Sequence, residues 1–160
     1  MFPLTFEEYE KMKQFYGKPV DPQLPVELVN YIQESGFPKT IFIDDLADKQ
    51  KYVQGVINEI FEKDIRKRVK IRKKETFEIV RRYIINNFGA TTSINNICES
   101  LNNSGLNIGK ATISRYIKAL VDAKILYECD RFDMKSKRSL SGEKKYYLSD
   151  LGFFFASNTT

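Results

Sequence analysis

The side chains best equipped for chemistry in this sequence are cations and hydroxyls, and they cluster. Lys110, Thr112, Ser114, Arg115 and Lys118 fall within nine residues. Such groups hydrogen-bond to phosphate oxygens or base edges, and the planar fork of Arg115 matches the acceptor pair of guanine. A second group, Lys135, Lys137 and Arg138, sits in a polar stretch further on. A third packs eight cations into twelve residues, from Lys63 to Lys74. Of these, Arg66, Lys67, Lys70, Arg72 and Lys73 are candidate auxiliary phosphate contacts. A helix C-terminus favours cations through its macrodipole, but eight exceed that need. The alternatives are a solvated helix end and a surface that meets phosphate or an acidic partner.

Enzyme chemistry has less to work with. The chain has no His, which removes Ser-His-Asp and Cys-His nucleophiles and His-ligated zinc. Cys98 and Cys129 stand alone, without CxxC spacing. Asp44, Asp45 and Asp48 are placed to cap a helix rather than to act as an acid–base pair. The stretch from Gly105 to Thr112 resembles a phosphate-binding loop only superficially. The Walker A pattern needs four residues between its glycines and Ser or Thr directly after Lys. Here three residues separate Gly105 from Gly109, and Ala111 follows Lys110. The expectation is no catalytic, cofactor-binding or metal-ligating set, and so no enzyme.

Composition narrows the class. The 160 residues are 42% hydrophobic and 13% aromatic, enough for a packed core. Net charge is +5, but it is unevenly spread. Residues 1–62 carry 6 basic and 11 acidic side chains, and residues 63–160 carry 20 and 10. A half with a net of +10 points to an anionic partner, nucleic acid first. No stretch reaches the roughly 18 apolar residues of a membrane span, and the charged N-terminus is no signal peptide. A reduced, cytoplasmic chain is expected.

The elements that must position these groups follow from periodicity. Phe6, Tyr9 and Met12 mark a short helix, and a second starts near Pro25 and stops at Gly36-Phe37-Pro38. A long helix at about 46–70 is marked by Val53, Val56, Ile57, Ile60, Phe61 and Ile65. Next, Phe77, Val80, Ile84 and Phe88 share one face of a helix closed by Gly89. Ser93 caps a short helix containing Ile94, Ile97, Cys98 and Leu101. A third helix of this group, about 110–124, buries Ile113, Tyr116, Ile117, Leu120 and Val121. A strand-like run, ILYECDRF, is followed by a polar loop, DMKSKRSLSGEK, and a second strand, KYYLSD. Three helices followed by a β-hairpin with a basic tip is the order of a winged helix-turn-helix. In that arrangement the third helix offers its solvent face to the major groove, and the hairpin tip reaches the flanking backbone.

Five motifs resemble the middle of prokaryotic AAA-type ATPases that carry the C-terminal domain of unknown function 4143. Pro3-Leu4-Thr5-Phe6-Glu7-Glu8-Tyr9 is similar to their P-L-S-F-x-E-F segment. Tyr31 through Gly36-Phe37-Pro38 is similar to Y-x-x-G-G-F-P-E, with Ser35 for the first glycine. Lys63-Asp64-Ile65 matches K-D-I, and the helix from Ala111 to Ile117 corresponds to T-V-x-x-Y-L. Lys145-Tyr146-Tyr147-Leu148-Ser149-Asp150-Leu151-Gly152 resembles K-x-Y-x-x-D-x-G. The resemblance implies that the chain is a fragment, without the family's P-loop domain or its nuclease-like C-terminal region. Any ATP hydrolysis would then belong to a longer parent.

The expected fold is mostly α with a minor β component. Residues 1–72 form a helical linker region, 75–155 a winged helix-turn-helix, and 156–160 a polar tail. The expected function is a non-catalytic module of an ATPase-like protein that contacts duplex DNA through the third helix and wing. It takes no cofactor and no membrane. The competing expectation is a protein-interaction or oligomerisation module with no nucleic-acid role, its partners being a second copy or an ATPase domain.

Overall fold

Thr5 can open a helix because its hydroxyl accepts the Glu8 amide while the Glu8 carboxylate reaches back to the Thr5 amide, at 2.8 Å. In the computed structural model, which describes residues 2–68, 71, 73–135 and 138–158 (by backbone alone at 68, 133 and 138–141), this box starts α1, Phe6–Phe15. α2 is Leu24–Glu34, with Pro25 in its first turn, where a missing N–H costs nothing. A 3-10 turn, Pro38–Phe42, leads to α3, Leu46–Ile60. Asp45 accepts the Asp48 amide at 3.1 Å and so caps α3. The helix then widens into a π turn over Phe61–Ile65 and continues as α4, Arg66–Arg68.

That widening has a local reason. Phe61 and Ile65, both buried, are four residues apart. On an α-helix such a step over-rotates by about 40°, and an i→i+5 turn takes up the drift.

The remaining elements are α5 (Lys74–Asn86), β1 (Thr91–Thr92), α6 (Ile94–Asn103), α7 (Lys110–Asp122), β2 (Leu126–Asp133), β3 (Arg138–Leu148) and α8 (Gly152–Asn158). The chain is mostly helical, with one three-stranded antiparallel sheet in the order β1-β3-β2. It divides into two compact units. Residues up to Glu59, together with those from Asp150 on, make the first; Ile60–Ser149 make the second.

The first unit packs α2 against α8 and α1 against the 3-10 turn. Tyr9 lies edge-on to Tyr31 with ring centroids 5.2 Å apart, and Phe37 meets Phe153 at 5.7 Å. No periodicity in the sequence marks α8 as a helix. The burial of Phe153 and Ala156 gives it order.

In the second unit Phe77 is central, 5.0 Å from the Phe61 ring and 5.2 Å from Tyr116. α5 ends earlier than its apolar pattern suggests. Asn87 caps it by donating to the Tyr83 carbonyl (2.8 Å), so Phe88 falls beyond the helix and stays exposed. Gly89, at φ +75°, turns the chain toward β1, a strand the sequence pattern does not announce. Ser93 caps α6 as expected, accepting the Asn96 amide at 3.2 Å. The hairpin differs from expectation. Much of the polar stretch expected as a loop is strand, since β3 already begins at Arg138 and pairs it with Asp133. Ladder bonds use backbone groups, so polar side chains do not prevent pairing. A register shift between Asp130 and Arg131 absorbs the extra residues on β3 around Gly142, at φ +119°.

Candidate nucleic-acid interface

Helix α7 presents its faces according to residue spacing. Ile113, Tyr116, Ile117 and Leu120 are buried, whereas Lys110, Ser114, Arg115 and Lys118 are exposed along one arc. Thr112 flanks that arc and is half-buried. The structure thus brings all five predicted residues onto one surface. Their charges are not equally available. Lys118 lies 3.6 Å from Asp122 one turn on, whereas neither Lys110 nor Arg115 has an ion-pair partner among the described residues. Arg115 lies over the Tyr116 ring, 5.8 Å from its centroid. Lys110 occupies the first turn, where the helix dipole disfavours a cation, and Gly109 offers no side-chain acceptor to the first-turn N–H groups. That end of α7 is electropositive twice over.

The turn before α7 is held by a residue that sequence reasoning missed. Asn102 brackets Ile108, accepting its N–H at 2.9 Å and donating to its carbonyl at 3.0 Å. The Cys98 thiol donates to the same carbonyl at 3.4 Å. Gly105, at φ +93°, makes the bend. The polar ESLNNS run carries no periodic signal that separates Asn102 from its neighbours, so only the folded turn identifies it.

Beside the α7 N-terminus lies a hollow of roughly 500 Å³ lined by Lys73, Thr76, Asn107, Gly109, Thr112 and Arg115 among others. Lys73, predicted as an auxiliary phosphate contact, therefore meets Arg115 and Thr112 in space. The other auxiliary residues fare differently. Arg66 is engaged by Glu62 at 2.8 Å, and Lys74 reaches the same carboxylate at 2.9 Å. These two cations hold the Glu62 carboxyl below its usual range. Lys67 is exposed. Lys70 and Arg72 lie outside the described residues.

In the hairpin, Lys135 is exposed at the turn after β2. Lys137 lies outside the described residues, and Arg138, described by its backbone, opens β3 instead of sitting in the loop. Cations nearer the hairpin base are paired within the sheet. Arg131 meets Glu143 at 2.9 Å, and Lys144 bonds Glu128 and lies 3.2 Å from Asp130.

Two motifs from the sequence meet in the first unit, for a structural reason. The Asp150 carboxylate accepts from the Ser35 hydroxyl (2.9 Å), the Gly36 amide (2.8 Å) and the Gly152 amide (2.7 Å). Burial pushes this carboxyl up, against the opposing pull of those three donors. Ser35 is at φ +77°, where glycine is favoured, and its side chain is drawn into the clamp. A Cβ on Gly36 would come 2.6 Å from the Leu4 carbonyl oxygen. Each partner is thus accounted for by folding. No group of three or more Cys, Asp or Glu among the described residues is placed to hold a metal, and no helix among them is long and apolar enough to cross a membrane.

Comparison with known proteins corrects one expectation. Over residues 26–158 the chain matches the family described as domain of unknown function DUF8612. It is 28% identical to an uncharacterized protein of Methanocaldococcus jannaschii, over 98% of this chain and 36% of that protein. It is 26% identical to an uncharacterized protein of Haemophilus influenzae, over 95% of this chain and 37% of that protein. The chain thus spans little more than a third of the length of these relatives. The match overturns the resemblance to AAA-type ATPases with domain 4143, because no relative or family model points there. A short motif such as D-x-G can arise from local packing needs, here the Asp150 clamp, and so does not by itself fix ancestry. With 26–158 matched, the chain belongs to the DUF8612 family.

Proposed function

We propose that residues 74–148 form a winged helix-turn-helix that contacts duplex nucleic acid without catalysing a reaction on it. α7 would lie in the major groove, with the hairpin as the wing. One observation carries this reading: Lys110, unpaired among the described residues, stands at the uncapped, dipole-positive end of α7, and Arg115, likewise unpaired, follows on the next turn of the same exposed arc. A protein surface that leaves cations uncompensated at a helix N-terminus is suited to an anion. Lys73, across the hollow, adds a third charge. Duplex binding and its salt dependence test it. Lys110→Ala with Arg115→Ala should weaken binding at least tenfold, in keeping with about 1–3 kcal/mol per good base or phosphate contact. It should also flatten the slope of log K against log salt by about two, since each neutralised phosphate contributes about 0.9. Binding undetectable at low salt, or unmoved by the double variant, overturns the proposal.

A specific feature of the first unit favours a second reading, protein interaction. α2 is inverted: Glu27 is fully buried, with Tyr31 and Glu34 on the same side, whereas Leu24, Leu28 and Val29 face outward. Such a face suits an apolar partner, a second copy included. Light scattering after size exclusion reads it. Self-association without DNA that is lost in Leu24→Glu with Leu28→Glu supports interaction as the primary role; a monomer at all concentrations opposes it.

A further inference from the structure

The tip of the hairpin carries two large apolar side chains that nothing among the described residues covers. Met134 is 79% exposed and Phe132 is 55% exposed, the former in the turn after β2 and the latter near the strand end, opposite Ser139. They stand beyond the register shift at Asp130 and Arg131, with Lys135 next in sequence. At about 3.3 Å per residue, Met134 projects some 10 Å past that shift. An apolar pair at the end of an edge hairpin invites aggregation, and sheets usually place charge there instead. Here the pair is set in a unit with 20 basic and 10 acidic residues. An apolar point on a unit of strongly positive net charge suits an anionic partner that also has an apolar slot. Duplex DNA offers one, the space between stacked base pairs. Its minor groove, about 6 Å wide, excludes a two-stranded ribbon but admits single side chains.

We propose that Phe132 and Met134 act as a wedge that enters the minor groove and partly unstacks a base step. The proposal rests on the duplex-binding reading above and adds the mode of contact for the wing. The net positive charge of the unit draws the hairpin to the duplex, while the apolar pair replaces some base stacking. Pyrimidine–purine steps, which open most readily, are the favoured sites.

The test uses the full chain and a duplex with 2-aminopurine beside its TA steps, whose fluorescence rises on unstacking. Wild type should raise the fluorescence at saturation. Phe132→Ala with Met134→Ala should remove the rise and weaken binding about three- to tenfold. Its salt slope should not change, since no cation is lost. Both residues are exposed, and an unchanged far-UV circular dichroism spectrum checks the fold. Met134→Lys with Phe132→Ser, which adds charge but no wedge, should bind without unstacking. Wild type that binds the duplex with no fluorescence rise overturns the wedge while leaving duplex binding intact, as does a double variant that behaves like wild type. Absence of duplex binding at low salt overturns both. Binding to phosphatidylserine vesicles that requires Phe132 and Met134, with duplex binding indifferent to them, assigns the tip to a lipid surface and overturns the wedge.

Discussion

The two units of this molecule handle charge in opposite ways. The first carries 6 basic and 11 acidic residues and turns several of them inward. Lys13 bonds Glu27 with both side chains buried, and Lys49 reaches Glu34 at 2.5 Å, the same carboxylate that accepts the Tyr9 hydroxyl at 2.7 Å. Glu27 also accepts the Asp21 amide and an Asn30 N–H. The second unit carries 20 basic and 10 acidic residues, keeps an apolar interior around Phe77, and leaves Lys110 and Arg115 in solvent. Arg81, buried and bonded to Glu78, is its exception. In the first unit buried ion pairs sit beside an apolar core of Phe37, Ile41, Val53 and Phe153; in the second the interior is almost wholly apolar and most of the charge faces out. A cation therefore has a different meaning in each. Removing a buried one from the first should change stability, and removing an unpaired one from the second should change binding.

The largest break in that contrast is Lys13→Ala, which leaves Glu27 buried with its charge uncompensated. Loss of one partner of a buried pair costs about 3–5 kcal/mol, read as a lower urea midpoint, and a change under about 1 kcal/mol would refute the assignment. The mirror case is the Lys110→Ala and Arg115→Ala pair, which should weaken duplex binding at least tenfold while stability stays within about 0.5 kcal/mol, as for surface sites in general. Acid sharpens the comparison further. Burial pushes the Glu27 carboxyl up, but Lys13, the Asp21 amide and Asn30 overcome this and hold it below its ordinary value. A lowered carboxyl stabilises the fold above the ordinary range, near 4.3. That contribution fades as pH falls through the lowered native value. Glu27→Gln should therefore show a flatter fall in stability on acidification than wild type, measured by circular dichroism from neutral pH downward. The smallest effect is expected for Lys118→Ala. Its charge is already shared with Asp122 at 3.6 Å, so both stability and duplex affinity should move by less than about 0.5 kcal/mol.

Much of the second unit was readable before folding. The apolar rows of α5, α6 and α7 repeat every three or four residues, Ser93 announces a cap, and the exposed arc of α7 follows from the same period. What could not be read depends on pairing between distant segments. β1 is two residues long and exists because Thr91 lies opposite Lys145. Arg138 reads as loop because its neighbours are polar, although ladder bonds ignore side chains. Asn102 looked like any other polar residue until Ile108 came within its reach. In the first unit Glu27 of α2 lies inside because Lys13 is there to meet it, a contact that no local pattern announces.

The amino-acid sequence by itself determined the helical periods, the caps, the uneven charge and the absence of His chemistry, because each depends on residue type and near neighbours. Only the tertiary structure decided which cations remain available and which are spent on partners, because several of the carboxylates come from other parts of the chain. Glu62 takes Arg66 and Lys74, Glu27 takes Lys13, and nothing among the described residues takes Lys110 or Arg115. It also decided that Ser35, Gly36 and Gly152 converge on Asp150, more than a hundred residues from the first two. Coulombic and hydrogen-bond energies fall steeply with distance, and those distances exist only once the chain has folded.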